Sequence, residues 1–127
     1  MPTRLNAHMD AYELVISVIA LNPDYQGPIM RRGLQHRQLE EGILRLAADY
    51  NDILEAARIK PHPLHGDSQT LNDALYTLRQ YGVLQSWTDG DITWSFPLTP
   101  QEYYDQKIKP KLPEEFTSRL EMAVRSL

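Results

Sequence analysis

Residues 68–96, SQTLNDALYTLRQYGVLQSWTDGDITWSF, decide the fold that the sequence predicts. The first half of this stretch has the spacing of an amphipathic helix. Ser68 or Thr70 is expected to cap its start, and Thr70 with Asp73 forms an Asp-containing version of the capping box. Gly82 is expected to end it, because glycine adopts the left-handed conformation at little cost. The apolar residues that recur at three- and four-residue spacing on one face are Leu71, Ala74, Leu75, Leu78 and Tyr81.

The second half of the stretch predicts a two-stranded antiparallel hairpin. An extended run begins at Val83-Leu84, and Asp89-Gly90 is a dipeptide that two-residue hairpin turns favour. On the return strand, alternation places three large apolar residues on one side, namely Ile92, Trp94 and Phe96. Trp87 and Trp94 are both expected to cover the core from this hairpin.

The N-terminal half predicts two helices. One covers about residues 10–21 and is apolar almost all round, so we expect it to be central and buried. A second, long helix is predicted over about residues 34–59 and closes at the prolines of residues 60–63. It has a coiled-coil-like seam whose members step by four and three residues, namely Leu39, Ile43, Leu46, Tyr50, Ile53 and Ala57.

The C-terminal part predicts two further helices. Thr99-Pro100 with Glu102 is a capping box with proline at the first helical position, and Pro110 is expected to stop that helix. The last helix begins near Pro113, and its apolar stripe is expected either to pack on the rest of the chain or to form a homodimer. That stripe comprises Phe116, Leu120, Ala123 and Leu127.

Composition narrows the function classes. The chain of 127 residues lacks cysteine, which excludes disulfide scaffolds, thiolate metal sites and cysteine nucleophiles. No apolar run reaches the roughly 20 residues that a membrane span needs, so we expect a cytoplasmic protein without a membrane partner. The net charge of −4 is opposite to that of most nucleic-acid-binding domains, although a basic patch can lie on an acidic protein.

The helix followed by "YGVL" and a hairpin resembles the recognition helix and wing of winged-helix domains. The expected fold is therefore mainly α with a small antiparallel β-hairpin: a single winged-helix-like domain with a long central helix. Residues 10–96 form its core, and residues 97–127 form a C-terminal helical extension. The resemblance implies a non-enzymatic, DNA-binding transcription regulator without a cofactor.

In such a protein the helix enters the major groove and the hairpin tip touches the DNA. The residues expected to read DNA are Gln69, Asn72, Tyr76, Arg79 and Gln80, while Arg31, Arg32 and Arg37 hold phosphate. The predicted turn, Asp89-Gly90-Asp91, would repel phosphate, and the helix offers a single cation. These two features favour the alternative, a protein–protein interaction or scaffold module of the same fold.

Two weaker patterns suggest other chemistry. His62, His65 and Asp67 lie close together in sequence and could bind a divalent metal, although no fourth ligand is evident, and we expect no metal site. Residues 12–84 also bear a faint similarity to the helical tail of glycerol-3-phosphate acyltransferases, which would imply an accessory module. Lys107, Lys109 and Lys111 form a second basic cluster, for which a solvated face is the simpler interpretation.

Overall fold

A computed structural model of the protein describes residues 9–22, 34–35, 41–59, 69–86 and 91–126, excluding the side chains of residues 34, 35, 47, 48, 86 and 91–93. The expectation of a mainly helical chain is confirmed. The elements are α1 (Ala11–Leu21), β1 (Leu34–Gln35), α2 (Leu46–Asp49), α3 (Asn51–Ala56), α4 (Gln69–Gln80), β2 (Leu84–Ser86), β3 (Asp91–Trp94), α5 (Pro100–Tyr103) and α6 (Glu114–Arg125).

Helix α1 lies at the centre of the structure, as its almost uniformly apolar sequence predicts. Every residue from Glu13 to Leu21 is buried, and α1 packs against α4, α5 and α6. Asp10 precedes the helix as its N-cap, and its backbone N–H donates to the Glu13 carboxylate at 3.0 Å. The N–H groups at the start of a helix have no carbonyl acceptor within the helix, and this contact supplies one of them with an acceptor.

The prediction of one long helix over residues 34–59 is wrong. Leu34 and Gln35 form strand β1, residues 41–44 are helical, and α2 and α3 are separate short helices. Tyr50 breaks the helix because its backbone, at φ −134° and ψ 40°, is not helical. The seam residues Ile43, Leu46, Ile53 and Ala57 are nevertheless buried. The spacing therefore identified these four core positions, although the backbone between them is interrupted. Tyr50 is half-buried, and Leu39 lies outside the described residues.

The three strands form one antiparallel sheet in the order β1-β3-β2. Leu84 is paired with Trp94, and Leu34 is paired with Ile92. Ser95 extends the β2–β3 pairing, because its N–H donates to the Val83 carbonyl at 2.8 Å. The predicted turn at Asp89-Gly90 and the side chain of Trp87 lie outside the described residues.

Helix α4 buries the predicted apolar face except for one residue. Leu71, Ala74, Leu75 and Leu78 are buried, but Tyr81 is 77% exposed, so its assignment to the buried face is wrong. The helix ends at Gln80, one residue before Tyr81, and the chain then turns.

The turn after α4 follows the predicted glycine. Gly82 has φ +75°, as expected, and the Val83 N–H donates to the Leu78 carbonyl at 2.9 Å. In this Schellman arrangement Val83, rather than Tyr81, packs inward. Thr70 lies inside the helix, so its prediction as the cap is wrong, and Ser68 lies outside the described residues.

The C-terminal segment belongs to the same hydrophobic core as α1. The predicted capping box at Thr99 is confirmed, since Thr99 Oγ1 accepts the Glu102 N–H and Glu102 accepts the Thr99 N–H, both at 3.1 Å. The helix then widens into a π-turn over residues 104–108 and tightens into a 3₁₀ turn over residues 109–111, so Pro110 lies within the helical path instead of ending it.

The predicted stripe of α6 is buried by its own chain. Phe116, Leu120 and Ala123 are at most 1% exposed, whereas Leu127 lies outside the described residues. The side-chain amide of Asn22, at the end of α1, donates to the Val124 carbonyl at 2.8 Å. This face of α6 is therefore occupied within the monomer. In the part of the chain described, none of the helices combines the length and apolarity required to cross a membrane.

Candidate nucleic-acid interface

The outer face of α4 presents the residues that were expected to contact DNA. The inner face anchors the helix to α1, because Leu71, Leu75 and Leu78 are almost completely buried. Side chains on the opposite side of the helix consequently point to solvent. Those that are exposed or half-buried on the outer face are Gln69, Asn72, Asp73, Tyr76, Thr77, Arg79 and Gln80.

Contacts within the helix restrain several of these side chains. Gln69 Nε2 donates to Asp73 Oδ1 at 2.8 Å, and Gln80 Nε2 donates to Tyr76 Oη at 3.1 Å. The Arg79 guanidinium lies 5.9 Å from the centre of the Tyr76 ring, within the range of a cation–π contact. Tyr76, Arg79 and Gln80 therefore form a small preorganised group at the C-terminal half of α4.

The charge of this face is balanced rather than positive. Asp73 and Arg79 are its two charged residues. Strand β3 begins at Asp91, opposite Gln35 of β1, and residues 87–90 lie outside the described residues. Within the described region, an interface with DNA would depend on hydrogen-bonding side chains for contacts and on Arg79 for neutralisation of phosphate.

Two exposed aromatic residues accompany this polar face. Tyr76 is 56% exposed and Tyr81 is 77% exposed, at the end of α4 and in the turn after it. Tyrosine and arginine are the side chains that most often dominate binding energy at protein interfaces. The exposure of Tyr81 was missed because its three-residue spacing from the buried Leu78 suggested that it continued the apolar face.

The other predicted phosphate-binding residues are divided between described and undescribed segments. Arg31, Arg32 and Arg37 lie outside the described residues. Lys107, Lys109 and Lys111 are exposed, but two of them contact acidic residues of their own chain. Lys109 Nζ lies 3.7 Å from Glu121 Oε1, and Lys111 forms an ion pair with Glu13.

The Lys111–Glu13 pair is mainly structural. The Glu13 side chain is 4% exposed, whereas that of Lys111 is 55% exposed. The hydrogen bond to the Glu13 carboxylate raises the pKa of Lys111. The pair fastens the 3₁₀ turn to the start of α1, so Lys111 is already engaged and contributes less to a phosphate-binding surface than its charge suggests.

The aromatic side chain of Trp94 also has a structural role. Its Nε1 donates to the Leu98 carbonyl at 2.8 Å, and its ring makes edge contacts with Phe96 and Tyr103 at centroid distances of 6.5 and 6.4 Å. These half-buried rings cover the core between β3 and α5. This arrangement agrees with the predicted core role of Trp94.

The three residues of the possible metal site, His62, His65 and Asp67, lie outside the described residues. In the segments that are described, no three histidine or acidic side chains are grouped as metal ligands. No family model matches the chain, and no similar protein was found among curated proteins or solved structures.

Proposed function

We propose that the chain is a non-enzymatic, winged-helix-type regulatory protein that binds DNA through the outer face of α4. The observation that carries the proposal is the polarity of that face: Gln69, Asn72, Arg79 and Gln80 are accessible beside a helix–strand junction. Amide and guanidinium groups are those that pair with base edges in the major groove. We also propose that Arg31, Arg32 and Arg37, which lie outside the described residues, hold phosphate.

The order of the elements supports this proposal. Helix α1 precedes β1, further helices lead to α4, and β2 and β3 follow, with β1 paired to β3. A three-stranded sheet in this order beside a reading helix is the arrangement expected of a winged-helix domain. Winged-helix folds serve several functions, so the side chains of α4 carry the DNA-binding proposal and the fold supports it.

The test is a salt titration of binding to a short, fluorescein-labelled, mixed-sequence DNA duplex, followed by fluorescence anisotropy. Binding should be detectable at low salt and should weaken steeply as the salt concentration rises. The logarithm of the association constant should fall linearly with the logarithm of the salt concentration, with a slope of about 0.9 per phosphate contacted. Arg79→Ala should weaken binding by about 1–3 kcal/mol. Arg45→Ala is the matched control. It removes an exposed arginine from the turn between helical residues 41–44 and α2, and it should leave the affinity unchanged.

A different outcome would move the function to the alternative. Absence of binding at low salt would remove the DNA proposal. The exposure of Tyr76 and Tyr81 favours a partner protein as the second candidate, since tyrosine supplies rigid contact area at small entropic cost. In that case, Tyr81→Ala should weaken capture of the partner while Arg45→Ala should not.

A further inference from the structure

A stripe on the outer face of α6 has the charge pattern of a surface that pairs with itself. At 3.6 residues per turn, four residues of α6 fall within an arc of about 80°. This arc lies opposite the buried face formed by Phe116, Leu120, Ala123 and Val124. The stripe, which we call the outer α6 stripe, consists of Glu115, Ser118, Met122 and Arg125, and all four residues are exposed.

The residues that flank the stripe are engaged with their own chain. Arg119 forms two hydrogen bonds with Asp52, at 2.7 and 2.8 Å, and its guanidinium lies 4.8 Å from the Tyr50 ring centre. On the other side, Glu121 pairs with Lys109. The rotation of α6 about its axis is therefore fixed, and the stripe is held outward.

The stripe is unusual for the surface of a monomer because it includes a large apolar side chain. Met122 is 64% exposed, and among the described residues only Tyr76 and Tyr81 are other large hydrophobic side chains that are exposed. It borders a shallow open groove that is lined by Glu114, Glu115, Ser118, Arg119 and Met122. The small Ser118 leaves room in that groove for a side chain from outside.

We propose that a second copy of this chain docks on the outer α6 stripe, with the two α6 helices antiparallel. The two-fold axis crosses the stripe at the height of Leu120 along the helix. In this alignment the residue numbers of facing pairs add to a constant. Glu115 then faces Arg125 of the second copy, and Ser118 faces Met122 of the second copy. Each contact occurs twice, as the symmetry of a two-fold dimer requires.

Charge and shape both favour this occupant. The acidic end of the stripe meets the basic end of the other copy at both edges, and each Met122 enters the groove beside a small serine. Arg125 is available for this pair, since its side chain is 63% exposed and its contact with Glu121 is long, at 3.8 Å. A parallel alignment would instead place like charges opposite each other.

The size of the stripe predicts a weak dimer. Helix α6 has 12 residues and is about 18 Å long at about 1.5 Å per residue. A single stripe of this length buries less than the roughly 1,200 Å² of standard stable interfaces. The dimer should therefore form in a concentration-dependent manner. This proposal is independent of what α4 binds.

The experiment is sedimentation velocity of the full chain over a range of concentrations, with charge-reversed variants. Glu115→Arg and Arg125→Glu should each raise the dimer dissociation constant by about three- to tenfold, because like charges then face each other at both edges. An equimolar mixture of the two variants should recover the wild-type affinity to within about twofold, since the mixed dimer restores opposite charges at both ends. Met122→Lys should remove detectable dimer.

The control for Glu115→Arg is Glu55→Arg, which makes the same change in net charge on an exposed residue of α3. It should leave the dimer unchanged. Thermal unfolding should show that every variant is folded. Glu115→Arg and Arg125→Glu should each lose at most about 1 kcal/mol, because they reverse charges that favour the two ends of α6. A wild-type chain that is monomeric at every concentration, a mixture that fails to recover, or an equal effect of Glu55→Arg would each overturn the proposal.

Discussion

Replacement of Tyr104 by phenylalanine should stabilise the fold. Tyr104 is completely buried, and among the described residues its hydroxyl has no hydrogen-bond partner. A buried hydroxyl without a partner costs about 1–3 kcal/mol relative to its hydrated state in the unfolded chain. Tyr104→Phe removes that group and keeps the ring, so the free energy of unfolding at neutral pH should increase by about this amount.

The gain should grow at alkaline pH. Burial, followed by the nearby Glu121 carboxylate, raises the pKa of Tyr104 above its ordinary value of 10.0. Above pH 10 the unfolded chain loses this proton while the folded chain keeps it, so the unfolded state binds fewer protons. The contribution of Tyr104 to stability then falls with rising pH by about 1.4 kcal/mol per pH unit, and the phenylalanine variant lacks this loss.

Urea unfolding at several pH values from 7 to about 11, with thermal unfolding at neutral pH, measures both effects. Each kcal/mol should raise the melting temperature by about 4 °C for a chain of this size. Tyr12, whose pKa burial raises to about 12, is present in both proteins and cancels in the difference.

Tyr103→Phe is the matched control, because Tyr103 is half-buried and its ring contacts are retained. It should change stability by less than about 0.5 kcal/mol. Destabilisation by Tyr104→Phe, or a difference from the wild type that stays constant between pH 7 and 11, would refute the assignment of an unpaired buried hydroxyl.

Three further substitutions test the backbone and the ion pairs, each followed by urea unfolding. Gly82→Ala should cost about 1–2 kcal/mol because φ is +75°. No atom of the described residues lies within 4 Å of an added Cβ, so this cost comes from the left-handed backbone. Arg58, with φ +59°, occupies the same kind of helix-ending position, so Arg58→Gly should stabilise by up to about 1 kcal/mol, and a loss would contradict this explanation. Lys111→Ala should destabilise the fold by about 1–3 kcal/mol, because it leaves the buried Glu13 carboxylate without its cation. Lys109→Ala breaks a more exposed ion pair and should change stability by less than about 0.5 kcal/mol. Equal effects of the two substitutions would contradict a structural role for Lys111.

The elements that the sequence predicted well are those with strong local signals. Helix α1 is almost uniformly apolar, Gly82 ends α4, and Thr99 with Glu102 caps α5. In each case neighbouring residues alone determine the backbone, so the pattern and the structure agree.

The failures arise where distant contacts override a local pattern. Leu34 and Gln35 are helix-compatible, yet they pair with β3 more than fifty positions later in the chain. Tyr50 continues the heptad spacing, although its backbone leaves the helix and its ring lies beneath Arg119 of α6. Both partners lie far away in the sequence, so the local pattern does not reveal them.

The candidate interface was predicted in part. The helical period identified which side of α4 faces solvent, because the buried leucines fix the rotation of that helix. It did not reveal the exposure of Tyr81 or the contact between Arg79 and Tyr76. The outer α6 stripe was not anticipated either, since the sequence analysis considered only the apolar face of α6 and left open whether its own chain or a second copy covers that face.

The long-range contact between Asn22 and Val124 has a consequence for biosynthesis. Helix α1 leaves the ribosome before α4, α5 and α6, which cover it, and α6 ends more than a hundred positions later in the chain. While these positions are being translated, the apolar residues of α1 lack the contacts that bury them in the folded protein. We therefore expect chaperones to bind the emerging α1 segment, and α1 should reach its final packing after α6 has been translated.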